Sequence, residues 1–234
     1  MWLKAVMAGM FISIGGAASS IAASTITNFG IAKAASALIF PIGLILIILV
    51  CGELFTGDCL MVNTIHDYSC TIKEIIPFLL FVWFGNLTGA GLFAAFLKVA
   101  GYYQMNSALV GAYAIQVAAA KCAISPLRGI VSGTFCNILV CLAVLLSGTT
   151  EEMLGKLAGI AIPIFTFVIC GFEHSVADMY YLFAGIFANS IPDCAIAATG
   201  TIVYSGALKS LLWVTLGNII GGVLIAFILY YMYI

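Results

Sequence analysis

Charge is what this sequence has least of. Asp, Glu, Lys and Arg make up 7% of its 234 residues, against roughly 25% in soluble domains. With 64% hydrophobic residues and a mean hydropathy of +1.23, water is excluded as the chain's main solvent. Basic runs are missing, and the net charge is −1, so there is no electrostatic footprint for nucleic acid. The eight cysteines include no Cys-x-x-Cys pair and mostly sit inside apolar runs, where a thiol behaves as a small hydrophobe. Neither a disulfide framework nor a zinc site is indicated.

Histidine is equally scarce: His66 and His174 are the two present. No nucleophile, metal cluster or phosphate loop accompanies them, which argues against an enzyme and against a resident cofactor. The alternative from a different class is a haem-bearing membrane subunit with both histidines as axial ligands. His66 stands beside Asp67 at the expected membrane surface, far from a mid-membrane His174.

What remains is long apolar runs. A helix crossing the hydrocarbon core needs about 20 predominantly apolar residues, so the chain holds about six to eight crossings and no separate soluble domain. Polar punctuation divides it into helices near residues 3–27, 34–66, 74–100, 126–147, 153–187 and 208–233, as periodicity and composition suggest. The segment after Met1 to Lys4 lacks an Ala-x-Ala cleavage pattern and is expected to be a first membrane helix, not a signal peptide.

The second and fifth runs are too long, and too polar in the middle, for simple spans. One contains Cys51-Gly52-Glu53-Leu54-Phe55-Thr56-Gly57-Asp58, the other Cys170-Gly171-Phe172-Glu173-His174-Ser175-Val176-Ala177-Asp178. Glycine beside acidic and hydroxyl residues between apolar arms fits a helix that stops, runs extended and restarts. Unpaired backbone at membrane depth is tolerated only where protein or a cavity covers it.

The two halves match. Cys51-Gly52 corresponds to Cys170-Gly171, and Trp83-Phe84-Gly85-Asn86-Leu87-Thr88-Gly89 to Thr215-Leu216-Gly217-Asn218-Ile219-Ile220-Gly221. Repeats of about 1–105 and 122–234 within one domain, 1–234, hold three helices each, and an odd number inverts the second copy. Paired broken helices in such repeats point to a site at the midplane. Gly85-x-x-x-Gly89 and Gly217-x-x-x-Gly221 are small-x-x-x-small faces, expected to pack within the protomer. The positive-inside rule is at odds with a cytoplasmic amino terminus, because Lys33, Lys98, Lys121, Arg128 and Lys209 fall toward one side and Lys4, Lys73 and Lys156 toward the other.

These motifs resemble the formate/nitrite transporters. Gly52-Glu53-Leu54-Phe55-Thr56-Gly57 and Gly171-Phe172-Glu173-His174-Ser175-Val176-Ala177-Asp178-Met179 are similar to that family's broken-helix signatures, Cys136-Asn137-Ile138-Leu139 to its fourth-helix motif, and Trp213-Val214-Thr215-Leu216-Gly217-Asn218 to its sixth. The resemblance implies an all-α membrane protein with six transmembrane helices in two inverted three-helix repeats and an aquaporin-like protomer. It also implies a homopentamer in the lipid bilayer, each protomer with its own pore for formate, nitrite, hydrosulfide or a similar small monovalent anion. A multi-pass cell-membrane location follows, taken as the bacterial inner membrane. Position by position, the central histidine falls on His174, the loop threonine on Thr56, the fourth-helix asparagine on Asn137 and the outer lysine on Lys121. Apolar constrictions fall on Phe40, Leu44, Leu54, Phe55 and Phe167. Two departures stand out: the chain starts almost at its first membrane helix, so the amino-terminal gating helix of some relatives is expected to be short or absent, and Asp178 stands where some relatives carry asparagine.

Chemistry fits these assignments. A mid-membrane histidine is by default a functional residue, able to give a hydrogen bond or a proton to a weak-acid anion. Thr56 is expected to bond substrate or cap the restarting half-helix, Asn137 to hold a loop, and Lys121 to concentrate anions. Glu53 and Glu173 would repel cargo and are assigned to loop amides or neighbouring subunits. Apolar constrictions strip water from ions at high cost, which a weak acid avoids by crossing neutral and chloride does not. A water or glycerol channel shares the architecture, but paired Asn-Pro-Ala motifs are missing; a proton-coupled secondary transporter is the other alternative.

Overall fold

The computed structural model describes residues 1–65 and 69–232; His66, the second haem-ligand candidate, lies outside them. Six helical segments are long and apolar enough to cross a membrane: Trp2–Ala23, Phe29–Leu49, Ile72–Val99, Pro126–Ser147, Met153–Cys170 and Tyr204–Met232. The described residues contain helices and no strands. Large apolar side chains such as Leu80, Phe96, Val131 and Leu212 point outward, as expected where lipid or another protomer is the neighbour.

The first half consists of α1 (Trp2–Ala23), a second span split into α2 (Phe29–Ile39), α3 (Ile42–Leu49) and α4 (Phe55–Asp58), and α5 (Ile72–Val99). Asn28 starts α2, its side chain accepting the Ile31 amide. Pro41, which lacks an amide hydrogen, separates α2 from α3. A Thr71–Glu74 capping box starts α5. The second half repeats the plan with α7 (Pro126–Ser147), a broken pair α8 (Met153–Cys170) and α9 (Ser175–Asn189), and α11 (Tyr204–Met232).

Both expected breaks occur. The first runs from Val50 to Leu54 and the second from Gly171 to His174. Gly171 ends α8 in the left-handed region, with φ +71, where a side chain is strained. Two elements are absent from the sequence reading: α6 (Leu109–Cys122) and α10 (Pro192–Ala197), both between long spans. At 14 residues, α6 is too short to cross alone, so a search for spans passes over it.

The paired glycine motifs do the same work in each half. A side chain at Gly85 or Gly89 of α5 would run into Ala5 or the Val6 carbonyl of α1; one at Gly217 or Gly221 of α11 would meet the Ile130 or Thr134 carbonyl of α7. Both faces therefore seal contacts inside the protomer, backbone against backbone. This close approach fixes the two scaffold pairs, α1 with α5 and α7 with α11, between which the broken helices hang.

Candidate functional site

Each broken loop is held by one asparagine. Asn86 Oδ1 accepts the Phe55 amide at 2.9 Å, while its Nδ2 donates to the Glu53 carbonyl at 3.0 Å and the Ala5 carbonyl at 2.8 Å. Asn218 repeats this: Oδ1 accepts the Ser175 amide at 2.8 Å, and Nδ2 donates to the Glu173 carbonyl at 3.1 Å and the Gly133 carbonyl at 2.8 Å. Both asparagines are fully buried. An amide offers two donors and an acceptor in one plane, the set needed to replace the helical bonds an interrupted segment loses. In the sequence both residues stand out as part of the repeat, through Gly-Asn recurring at the same place in α5 and α11, but nothing there assigns them this task.

The two loops bring Thr56 and His174 together. Thr56 Oγ1 and His174 Nε2 are 2.9 Å apart, with 0% and 3% of their surfaces exposed. His174 is also the N-cap of α9, where Nδ1 accepts the Ala177 amide at 3.0 Å. A ring nitrogen that accepts an N–H carries no proton, so in the neutral imidazole the hydrogen sits on Nε2 and is donated to Thr56. The threonine hydroxyl hydrogen is then left free for a further acceptor. Thr56 itself lies inside α4, whose N-cap is Leu54 with no side-chain bond, so the expected capping role is not its own. The half-helices start at Phe55 and Ser175.

Three cavities lie in series beside His174; Thr56, fully buried, lines none of them. The outer one, about 140 Å³, is lined by Lys33, Ser36, Tyr113, Lys121, Glu173 and Asp178 and ends on Phe40, Phe167 and His174. These last three also line a small chamber of about 10 Å³, completed by Ile12, Leu44, Leu54, Val140 and Ile164. Leu44 and Leu54 in turn border a third cavity of about 220 Å³, with Cys51, Gly52, Gly57 and Asp58. The middle chamber is about the size of one water, and its walls are apolar apart from His174. Phe167 stacks on His174 with centroids 5.9 Å apart, and Phe40 meets Phe167 edge-on at 5.7 Å. Of the five residues expected to constrict, Phe40, Leu44, Leu54 and Phe167 line this chamber; Phe55 is buried and lines none of the three cavities.

Lys121 stands in the last turn of α6, where the helix dipole favours a cation. Its Nζ is 2.5 Å from Glu173 Oε2 and also bonds Asp178 Oδ1, and it lies 5.3 Å from the Tyr181 ring centre. Glu173 thus serves Lys121 with its carboxylate, and its amide goes to Ser132 Oγ at 3.0 Å. Glu53 lies 3.8 Å from Lys4. Asn137 donates to the Asn218 carbonyl at 2.6 Å, linking α7 to α11, and its Oδ1 is buried without a hydrogen-bond partner among the described residues. It lines none of the three cavities. Lys33, Ser36, Tyr113 and Tyr181 were missed as site residues, because nothing in their spacing distinguishes them from ordinary helix surface. No cluster of metal ligands occurs among the described residues.

Known membrane transport proteins resemble this chain over nearly its whole length. The family model for formate/nitrite transporters matches residues 1–232. A probable formate transporter from Methanothermobacter thermautotrophicus is 33% identical over 243 residues, covering 96% of this chain and 85% of the relative. The formate channel FocA of Escherichia coli (strain K12) is 32% identical over 239 residues, covering 97% and 84%. Among solved structures, a pentameric formate channel with formate bound superposes with a TM-score of 0.85 at 26% identity, covering 99% of this chain and 95% of that one. An FNT family ion channel gives 0.87 at 25% identity, covering 100% and 89%.

Proposed function

This chain belongs to the formate/nitrite transporter family, a membrane transport family and not an enzyme family, and we propose that it is a passive pore for small monovalent weak-acid anions, formate foremost. Nitrite and hydrosulfide share formate's charge, size and weak-acid chemistry. The observation that carries this reading is the apolar chamber roofed by Phe40 and Phe167, with His174 in its wall and the Thr56 hydroxyl on His174 Nε2. A permanent ion such as chloride pays the full desolvation cost in such a chamber. A weak acid that accepts a proton at its edge does not.

The histidine's part is that of a fixed donor. Its Nδ1 is engaged by the α9 cap, so protonating it would break a hydrogen bond that starts that half-helix. The Nε2–H to Thr56 and the freed threonine hydroxyl are the groups suited to meet a carboxylate-like oxygen. The proton that neutralises the anion therefore comes from solvent in the vestibule. Homopentameric assembly, with one such pathway per protomer, is supported by the pentameric formate channel that this chain resembles over 99% of its length; the bacterial inner membrane is the proposed location.

Proteoliposomes test the reading. Formate, nitrite and hydrosulfide fluxes are compared with chloride and glycerol between pH ~5 and 8, which brackets free histidine titration, for the native chain and His174→Asn. Fast weak-acid flux that rises as pH falls, slow chloride flux, and a reduced rate with an unshifted pH profile in the variant are expected. Passage of glycerol without formate would replace the anion pore by a neutral-solute channel, and accumulation of formate against its gradient would make the protein a coupled transporter.

A further inference from the structure

The outer cavity contains two lysines and two carboxylates, and their pairing is uneven. An ammonium has three donors. Those of Lys121 face Glu173 at 2.5 Å, Asp178, and the Tyr181 ring at 5.3 Å, and its side chain is 16% exposed. With two carboxylates on one ammonium, the Lys121 cluster has no net positive charge to offer an entering anion. Lys33 carries the remaining positive charge. It takes part in none of the three ion pairs among the described residues, which are Lys4–Glu53, Lys121–Glu173 and Lys121–Asp178.

The position of Lys33 is also specific. It projects from α2 across the second break, its Nζ 3.4 Å from where a side chain on Gly171 would begin. Because Gly171 has none, the ammonium stands over the turn that leads to Glu173 and His174. Ser36, one turn along α2, adds a hydroxyl to the same wall, and Phe40, a further turn on, is the roof of the apolar chamber. One helix face thus runs from cation to hydroxyl to constriction, in the order an entering anion would meet them.

Resting on the reading of the site as an anion pore, we infer that Lys33 is the ammonium that captures the substrate anion in this vestibule, and that Lys121 is a buried counter-ion which positions Glu173 and Asp178. Lys33 has the Phe29 ring 6.0 Å from its Nζ but no carboxylate partner among the described residues, so it keeps donors free for a small oxyanion, and its long stem lets the head follow the ligand. Lys121 has none to spare.

The test is formate flux through reconstituted native protein, Lys33→Gln, Lys33→Met and Lys33→Arg, at ionic strengths of about 0.01 and 0.15 M, where the screening length falls from about 30 to 8 Å. The expected result is a half-saturating formate concentration raised on the order of tenfold in the Gln and Met variants at low salt. Maximal flux should stay near native, the difference should shrink at high salt, and Lys33→Arg should behave as native. A structural role would lower maximal flux or assembly without this salt dependence. Native formate flux together with unchanged half-saturation in assembled Lys33→Gln and Lys33→Met would overturn the inference alone. Failure of both variants to assemble would give Lys33 a structural role and overturn it too, whereas absence of formate flux from the native protein would overturn the pore reading and this inference together.

Discussion

Thr56 and His174, 118 residues apart in the chain, meet at 2.9 Å where the two broken helices face each other. Each residue completes the other: the α9 cap fixes the histidine tautomer, and the histidine orients the threonine hydroxyl. Thr56→Val keeps the shape, removes that hydroxyl and leaves a buried N–H unpaired, at a cost of about 1–3 kcal/mol. Formate flux in proteoliposomes should fall by about tenfold or more, in line with losing one good hydrogen bond on the path, while Thr56→Ser should retain most of it. Native flux in Thr56→Val would remove the hydroxyl from the pathway.

Asn86 and Asn218 make equivalent triple contacts in opposite halves. Replacing either with alanine strands a buried amide donor and two carbonyls, with an expected loss of about 3 kcal/mol. Because the contacts match, the two losses should agree within about 1 kcal/mol in detergent denaturation. A loss confined to one variant would show that the loops are not equivalent in stability, whatever their geometry.

Much of this is legible in the amino-acid sequence. The six spans follow from length and hydropathy, and both breaks from glycine and polar residues inside apolar runs at Gly52 and Gly171. The repeat followed from Gly-Asn recurring in α5 and α11. The boundaries of the second span shifted because Pro41 interrupts it and Phe29 precedes it. What the sequence does not carry is who pairs with whom. Lys33 and Lys121 look alike as isolated lysines in apolar surroundings; only the packing of α6 against α9 consumes one and spares the other. Thr56 reads as a cap from its place near a helix start, a role excluded only once the first turn of α4 is seen to begin at Phe55.

The glycine contacts predict a contrast between two alanine variants. A methyl at Gly89 would collide with the Val6 carbonyl, which is backbone and cannot turn aside, whereas at Gly30 the nearest atom is Asn28 Oδ1 at 3.5 Å. Gly89→Ala should destabilise the protein by about 1–3 kcal/mol through overpacking. Gly30→Ala, in α2, should be neutral or stabilise by up to about 1 kcal/mol as a better helix former. Thermal unfolding of both in one detergent checks the pair; equal effects would mean that α1 and α5 are not packed backbone to backbone.

The two vestibules differ in charge, and the difference makes the last prediction. The cavity beyond Leu44 and Leu54 is lined by Asp58, whose Oδ2 is buried without a hydrogen-bond partner, and by no lysine or arginine, among the described residues. A charged carboxylate in the wall repels a passing anion, so this side opposes entry while the Lys33 side invites it. Asp58→Asn should therefore raise formate flux wherever the native carboxyl is charged, and the gain should grow as pH rises. As pH falls the native side chain takes up a proton and becomes as neutral as asparagine, so the ratio of variant to native flux should approach one. Flux measured from both sides of oriented liposomes reads this directly. A ratio independent of pH would place the Asp58 carboxylate out of the anion's reach.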